Sequence, residues 1–197
     1  MRQGEGDQTL KGVNIYLIGM MGSGKTTLGQ SLATRLGYAF VDTDQVIEQS
    51  SGQTIPELFA QGGEAHFRDW ETQVLNQVSG FRSVVVATGG GIVERPENWG
   101  SLHHGVVVWL DVPLSELLAR LAQDPGSRPL LQTLDPAATL ATLWERRQPL
   151  YAQADVRVDL SGLSPQAAVE ILWQEICARL RPEQDRGDAS SVFDSFH

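Results

Sequence analysis

The sequence predicts an α/β protein whose parallel sheet carries helices on both faces. Five short apolar runs, at 13–18, 39–41, 83–87, 106–110 and 156–159, alternate with stretches of helical periodicity. The first run opens into a glycine-rich turn that leads straight into one of those helical stretches. The chain has 197 residues, 41% apolar and 20% charged, which suits one domain around one core. Strands that alternate with helices pair in parallel and bury both faces.

Each element follows from local pattern. Residues 1–11 are polar and glycine-rich and read as a flexible leader. The strand 13–18 precedes a helix over 26–36, where Leu28, Leu32 and Leu36 share a face and Gly37 is placed as a C-cap. The strand 39–41 ends in Asp42-Thr43-Asp44 and is followed by a helix-rich region broken by Gly52 and by Gly62-Gly63. After the strand 83–87 comes the run Gly89-Gly90-Gly91. The strand 106–110 leads to a helix over 115–122, then to residues 124–129, whose Pro, Gly and Ser give the composition of a mobile loop. A helix over 140–147, the strand 156–159 and a helix over 164–180 with Pro165 in its first turn complete a domain spanning 12–180. Residues 181–197 form a polar tail with no predicted order, and no internal repeat is present.

No apolar run approaches the roughly 18 residues of a membrane span, and the N-terminal stretch lacks the apolar core of a signal peptide. The protein is therefore expected in the cytoplasm. Cys177 is the only cysteine, which excludes an intrachain disulfide and a cysteine metal cage. The net charge of −9, without a basic stripe, argues against nucleic acid as a partner. It would also repel anionic substrates, so local cations must reverse the field inside a cleft. The chain holds 13 arginines but only two lysines, Lys11 and Lys25.

Lys25 lies in Gly19-Met20-Met21-Gly22-Ser23-Gly24-Lys25-Thr26, which fits the phosphate-loop pattern G-x-x-x-x-G-K-[ST]. Glycines at those positions let successive N–H groups turn inward around a phosphate, and the following helix adds its positive end. Lys25 is placed to reach the outer phosphates and Thr26 to ligate Mg²⁺. A strand before the motif and a helix after it supply the context that a chance glycine-rich turn would lack.

Phosphoryl transfer then requires a metal, an oriented acceptor and cations around the transferring group. Asp42 and Asp44 stand two apart, and in extended backbone that spacing sends both carboxylates to one side. A pair of turn-forming aspartates fits the same pattern. Asp111, at the end of the apolar run 106–110, resembles a Walker B metal ligand, although Pro113 suits a turn or helix cap there as well. Periodicity does not decide between Asp42 and Asp111.

With Phe40-Val41-Asp42-Thr43-Asp44, Phe67-Arg68, Gly89-Gly90-Gly91, Arg128-Pro129-Leu130-Leu131 and Arg147-Gln148-Pro149-Leu150-Tyr151 following the phosphate loop, the chain resembles the shikimate kinase family over about residues 12–180. The resemblance implies a three-layer α/β/α P-loop kinase fold of the nucleoside monophosphate kinase type. That fold has a five-stranded parallel sheet, a helical substrate-binding region and a mobile lid, here about residues 122–133. The implied reaction moves the γ-phosphate of ATP to the 3-hydroxyl of shikimate, with Mg²⁺, on the way to chorismate and the aromatic amino acids. Lys25, Asp44 and Arg128 would be catalytic, with Asp44 as base or orienter of the hydroxyl.

Gly22, Ser23, Gly24, Lys25, Thr26, Thr27, Arg120 and Arg128 would bind ATP, and Thr26 with Asp42 would serve the metal. Asp44, Arg68, Gly89, Gly90, Gly91, Arg147, Phe59, Phe67 and Glu71 would bind shikimate, the two arginines at its carboxylate, which matches a planar guanidinium fork. Core packing for the two phenylalanines, and a solvated helix face for Glu71, are the alternatives. The stretch from Arg120 to Arg128 departs slightly in length from the family pattern, which bears on the adenine contact. A monomer is expected, with neither nucleic acid nor membrane as partner.

A gluconate-type or other small-molecule P-loop kinase shares most of these features and is the nearest alternative. A GTPase would need a guanine-reading N-K-x-D segment, and the sequence has none. Leu160-Ser161-Gly162 lacks the continuation of a transporter ATPase signature, and the four histidines have no metal-ligand spacing.

Overall fold

The computed structural model describes residues 12–123 and 129–180. The leader, the tail, and residues 124–128 with Arg128, lie outside the described residues. Five strands are present: β1 Asn14–Ile18, β2 Ala39–Asp42, β3 Val84–Ala87, β4 Gly105–Asp111 and β5 Val156–Asp159. They pair in parallel in the order β2-β3-β1-β4-β5. Seven helices accompany them among the described residues: α1 Lys25–Leu36, α2 Thr43–Ser51, α3 Ile55–Ser79, α4 Pro96–Leu102, α5 Leu114–Gln123, α6 Pro136–Tyr151 and α7 Pro165–Leu180. None of these helices is long and apolar enough to cross a membrane.

The order has a consequence for the site. The chain leaves β1, crosses to the edge at β2, returns through β3 beside β1, and then crosses to the other side at β4. The C-terminal end of β1 therefore faces the point where connections diverge, the usual ligand crevice of an open parallel sheet. β1 is buried along its whole length and β4 over its centre, because each is flanked by strands and covered on both faces.

The expected strands and the C-cap at Gly37 are present. Three helical details differ. α2 begins at Thr43, directly after β2, with Asp42 as its N-cap. α3 continues through the glycine pair but bends at Gly63, where φ is 70° and ψ is −171°. α6 extends past the expected 140–147 on both sides, through Pro149 to Tyr151. Its buried residues Leu140, Leu143, Arg147 and Tyr151 line one stripe, so packing holds the last turn in spite of the proline.

Candidate active site

The ends of β1, β2 and β3 bring the site together. Beyond β1 the loop turns through Gly22 and Gly24 at φ of 81° and 94°, conformations open to glycine and strained for other residues. α1 starts at Lys25 with no side-chain cap and no acid in its first turn. The positive end of α1 is thus left to an anion. Lys25 folds back over the loop, its Nζ donating to the carbonyls of Gly19 at 2.8 Å and Met20 at 2.9 Å. Ser23 is buried in the turn, while Thr26 and Thr27 face outward from the first turn of α1. On the α5 side Arg120 donates to the Gly22 carbonyl at 3.3 Å and pairs with Glu116 at 3.1 Å. The other Glu116 oxygen accepts the Gly162 N–H, tying that turn to the same corner.

Asp42 and Asp44 do lie together, but not through extended backbone. Asp44 sits in the first turn of α2, and its N–H donates to Asp42 Oδ1 at 3.1 Å. The turn-forming and site readings of Asp42 are therefore compatible, since its Oδ2 accepts the Thr26 hydroxyl at 2.7 Å. A cavity of about 470 Å³ opens beside them, lined by Thr26, Asp42, Asp44, Glu48 and Thr54. Asp44 is half-buried, and its Oδ1 is buried with no hydrogen-bond partner among the described residues. Burial first, then the charges of Glu71 and Asp42, push its carboxyl up to about 7 against the opposing pull of Lys25 and Arg68. Asp111 points elsewhere: both Nε and Nη2 of Arg157 donate to its Oδ2, at 2.9 and 2.6 Å, across the β4–β5 edge.

The glycine run after β3 passes between these groups and two arginines. Gly89 N–H donates to the Thr43 hydroxyl at 3.0 Å, and the Tyr151 hydroxyl donates to the Gly90 carbonyl at 2.6 Å. A Cβ on Gly89 would collide with Glu71 Oε1 and lie 3.2 Å from Asp44 Oδ1; one on Gly91 would collide with the Arg68 guanidinium. One on Gly90 would stand 3.5 Å from both Arg147 Nη1 and the Met21 nitrogen of the phosphate loop. Close packing therefore requires glycine at 89 and 91, whereas a Cβ at 90 would make ordinary contacts.

The two arginines differ in state. Arg68 is buried and engaged by Glu71 and, at 2.7 Å, by Glu64. Arg147, fully buried, gives its Nε to Glu94 at 2.6 Å and leaves Nη1 and Nη2 without hydrogen-bond partners among the described residues. Glu71 is also fully buried, not on a solvated helix face; its carboxyl is raised by burial, against the lowering charge and hydrogen bond of Arg68. Phe67 belongs to the core and packs at 4.9 Å between centroids on the half-buried Phe59.

Glu64, Glu94, Thr43 and Tyr151 were not singled out from sequence for roles here. A signal for the acids existed: two arginines expected in a pocket need carboxylates nearby, and Glu64 and Glu71 stand at helical spacing from Arg68. Nothing local marks Glu94, which meets Arg147 across 53 residues.

A phosphate-loop motif at an uncapped helix start, with two buried arginines beside the run Gly89–Gly91, defines the class of P-loop phosphotransferases. The family model described as "Shikimate kinase" matches residues 21–180, and the chain belongs to the shikimate kinase family. The chain is 56% identical over 184 residues to the shikimate kinase of Synechococcus sp. (strain JA-3-3Ab), covering 93% of this chain and 97% of that one. Among solved structures, shikimate kinase from Acinetobacter baumannii in complex with shikimate aligns with a TM-score of 0.77 at 40% identity, over 87% of this chain and 94% of that one. A gluconokinase from Sinorhizobium meliloti 1021 aligns with a TM-score of 0.58 at 21% identity, over 87% of this chain and 94% of that one, a likeness of fold alone.

Proposed function

We infer that the protein transfers the γ-phosphate of ATP to the 3-hydroxyl of shikimate, giving ADP and shikimate 3-phosphate. The observation that carries this reading is a pair of buried groups without hydrogen-bond partners among the described residues, set along one glycine run: Asp44 Oδ1 beside Gly89 and the Nη atoms of Arg147, of which Nη1 lies beside Gly90. One suits a hydroxyl and the other a carboxylate, the two functional ends of a small hydroxy acid.

In this reading the phosphate loop and Lys25 hold the triphosphate, with Arg120 toward the base. The acceptor oxygen attacks the γ-phosphorus, the bond to the β-phosphate oxygen breaks, and ADP leaves. The hydroxyl proton passes to the Asp44 carboxylate. An Asp44 carboxyl near 7 suits that task, because half of it is ionised close to neutral pH. Arg147 grips the acceptor carboxylate through Nη1 and Nη2, and Arg68, held by Glu71 and Glu64, adds positive charge beside it. Gly90 allows the acceptor to lie against backbone. Phe59 and Phe67 close the apolar side, and Arg128 is assigned to the lid over the phosphates.

The residues present fit Mg²⁺. Thr26 and Asp42 offer two hard oxygens 2.7 Å apart at an accessible place. That suits an ion held by few protein ligands together with phosphates and water. Mg²⁺ supplies neutralisation of the phosphate charge as it shifts.

We further assign the protein a monomeric, cytoplasmic role without nucleic acid or membrane as partner. A net charge of −9 opposes binding to polyanions. A coupled ADP-release assay over shikimate, gluconate and nucleoside monophosphates tests the function. Preference for shikimate is expected. Preference for gluconate or a nucleotide would overturn the acceptor and leave only the transfer chemistry.

A further inference from the structure

We propose that Glu94 is a positioning residue for the acceptor: it occupies the Nε edge of Arg147, so that the Nη1/Nη2 end alone is left for the acceptor's carboxylate. This rests on the reading that Arg147 holds that carboxylate. A guanidinium can take a carboxylate by its side, through Nε and one Nη, or by its end, through both Nη groups. Glu94 Oε1 accepts the Nε proton at 2.6 Å and closes the side. The end remains, with both nitrogens buried and without a hydrogen bond of good geometry among the described residues; the Tyr151 hydroxyl interacts with this guanidinium, and Nη1 faces Gly90. A carboxylate held by that end meets Nη1 beside Gly90, next along the chain to Gly89, which lies beside Asp44 Oδ1.

Glu94 is built to be rigid. It ends the 3-10 turn Ile92–Glu94 that follows the glycine run, and its N–H donates to the Gly91 carbonyl at 3.0 Å. The Asn98 side chain donates to the Ile92 carbonyl at 2.8 Å, and the Trp99 indole to the Val93 carbonyl at 3.2 Å. Arg146 Nη2 donates to the same Glu94 oxygen at 2.6 Å, while Glu94 Oε2 stands 3.8 Å from Arg68 Nη2. One carboxylate thus lies between the two buried arginines. Burial alone would raise its carboxyl, but Arg147, then Arg146 and Arg68, hold it below the usual range. The turn that brings Gly90 to the acceptor also carries the group that aims Arg147 at it, which couples hydroxyl grip to carboxylate grip.

Two conservative variants separate aim from charge. Glu94→Gln keeps an oxygen within reach of Nε and removes the charge; Glu94→Asp keeps the charge and withdraws it by one methylene. Steady-state kinetics are measured with shikimate, with ATP, and with the shikimate analogue whose carboxylate is reduced to an alcohol; Arg147→Lys tests the underlying reading. Glu94→Asp should raise the KM for shikimate about fivefold or more, leave kcat and the KM for ATP within about twofold, and shrink the preference for shikimate over the alcohol analogue. Glu94→Gln should stay within about threefold of the parent on the same measures. If Arg147→Lys weakens shikimate and Glu94→Asp does not, the proposal fails and the reading survives. If neither variant affects shikimate, both fail. Damage by Gln equal to or greater than that by Asp, or equal losses for ATP and shikimate, would also overturn it, the first pointing to charge balance and the second to a structural role.

Discussion

Replacing Asp44 with Asn should give a protein that is inactive yet more stable, by an amount that grows with pH. Burial, helped by Glu71 and Asp42, raises the Asp44 carboxyl from 3.8 to about 7. The folded protein therefore binds this proton more tightly than the unfolded chain does. As pH rises between those two values the unfolded chain has lost the proton while the folded one retains it, so stability falls across that interval. The span is about 3 pH units, and at 1.36 kcal/mol per unit the ionised carboxylate costs on the order of 4 kcal/mol above the upper value. Asn has the same shape and no charge at any pH. Relative to the parent it should gain about 2 kcal/mol near pH 5 and about 4 kcal/mol near pH 8. Urea unfolding of both proteins at those two pH values measures the gain, and ADP release measures the activity. A gain that does not change with pH, or a variant less stable near pH 8, would refute the electrostatic argument. The same carboxylate must ionise to accept a proton, so kcat/KM of the parent should climb with pH through about 7.

Asp42→Asn keeps a side chain able to cap α2 but weakens the hard oxygen beside Thr26, and should raise the Mg²⁺ needed for half-maximal rate about tenfold. Asp111→Asn, which only loosens the pair with Arg157, should leave that requirement unchanged; the reverse result in a Mg²⁺ titration would move the metal to Asp111. Gly89→Ala drives a methyl into Glu71 beside Asp44. It should cost about 1–3 kcal/mol in denaturant unfolding and raise the KM for shikimate more than that for ATP. A variant with parental stability and acceptor affinity would show that the close approach is not needed.

Much of the fold was legible because its signals are short-ranged. The five apolar runs, the glycine after α1 and Pro165 at the start of α7 report local backbone preference and burial period. The phosphate loop is legible for the same reason, since its chemistry is a property of eight consecutive residues. The extension of α6 through Pro149 was not, because the stripe that holds its last turn is anchored by partners outside the helix, such as the Gly90 carbonyl on Tyr151. The aspartate pair was read through the wrong backbone: a capped helix, not an extended strand, brings Asp44 back over Asp42.

Taken alone, the residues determine a phosphate-loop motif at the end of the first strand, and they predict arginines for an anionic acceptor. They leave open which acid lies beside Thr26 and which arginine keeps its Nη atoms without partners among the described residues. Those choices follow from the order β2-β3-β1-β4-β5, which sets Asp42 beside Thr26, turns Asp111 toward Arg157, and carries Glu94 to Arg147. The physical reason is that backbone preferences act over a few residues, whereas a buried charge is settled by whichever partners the packed sheet delivers to it.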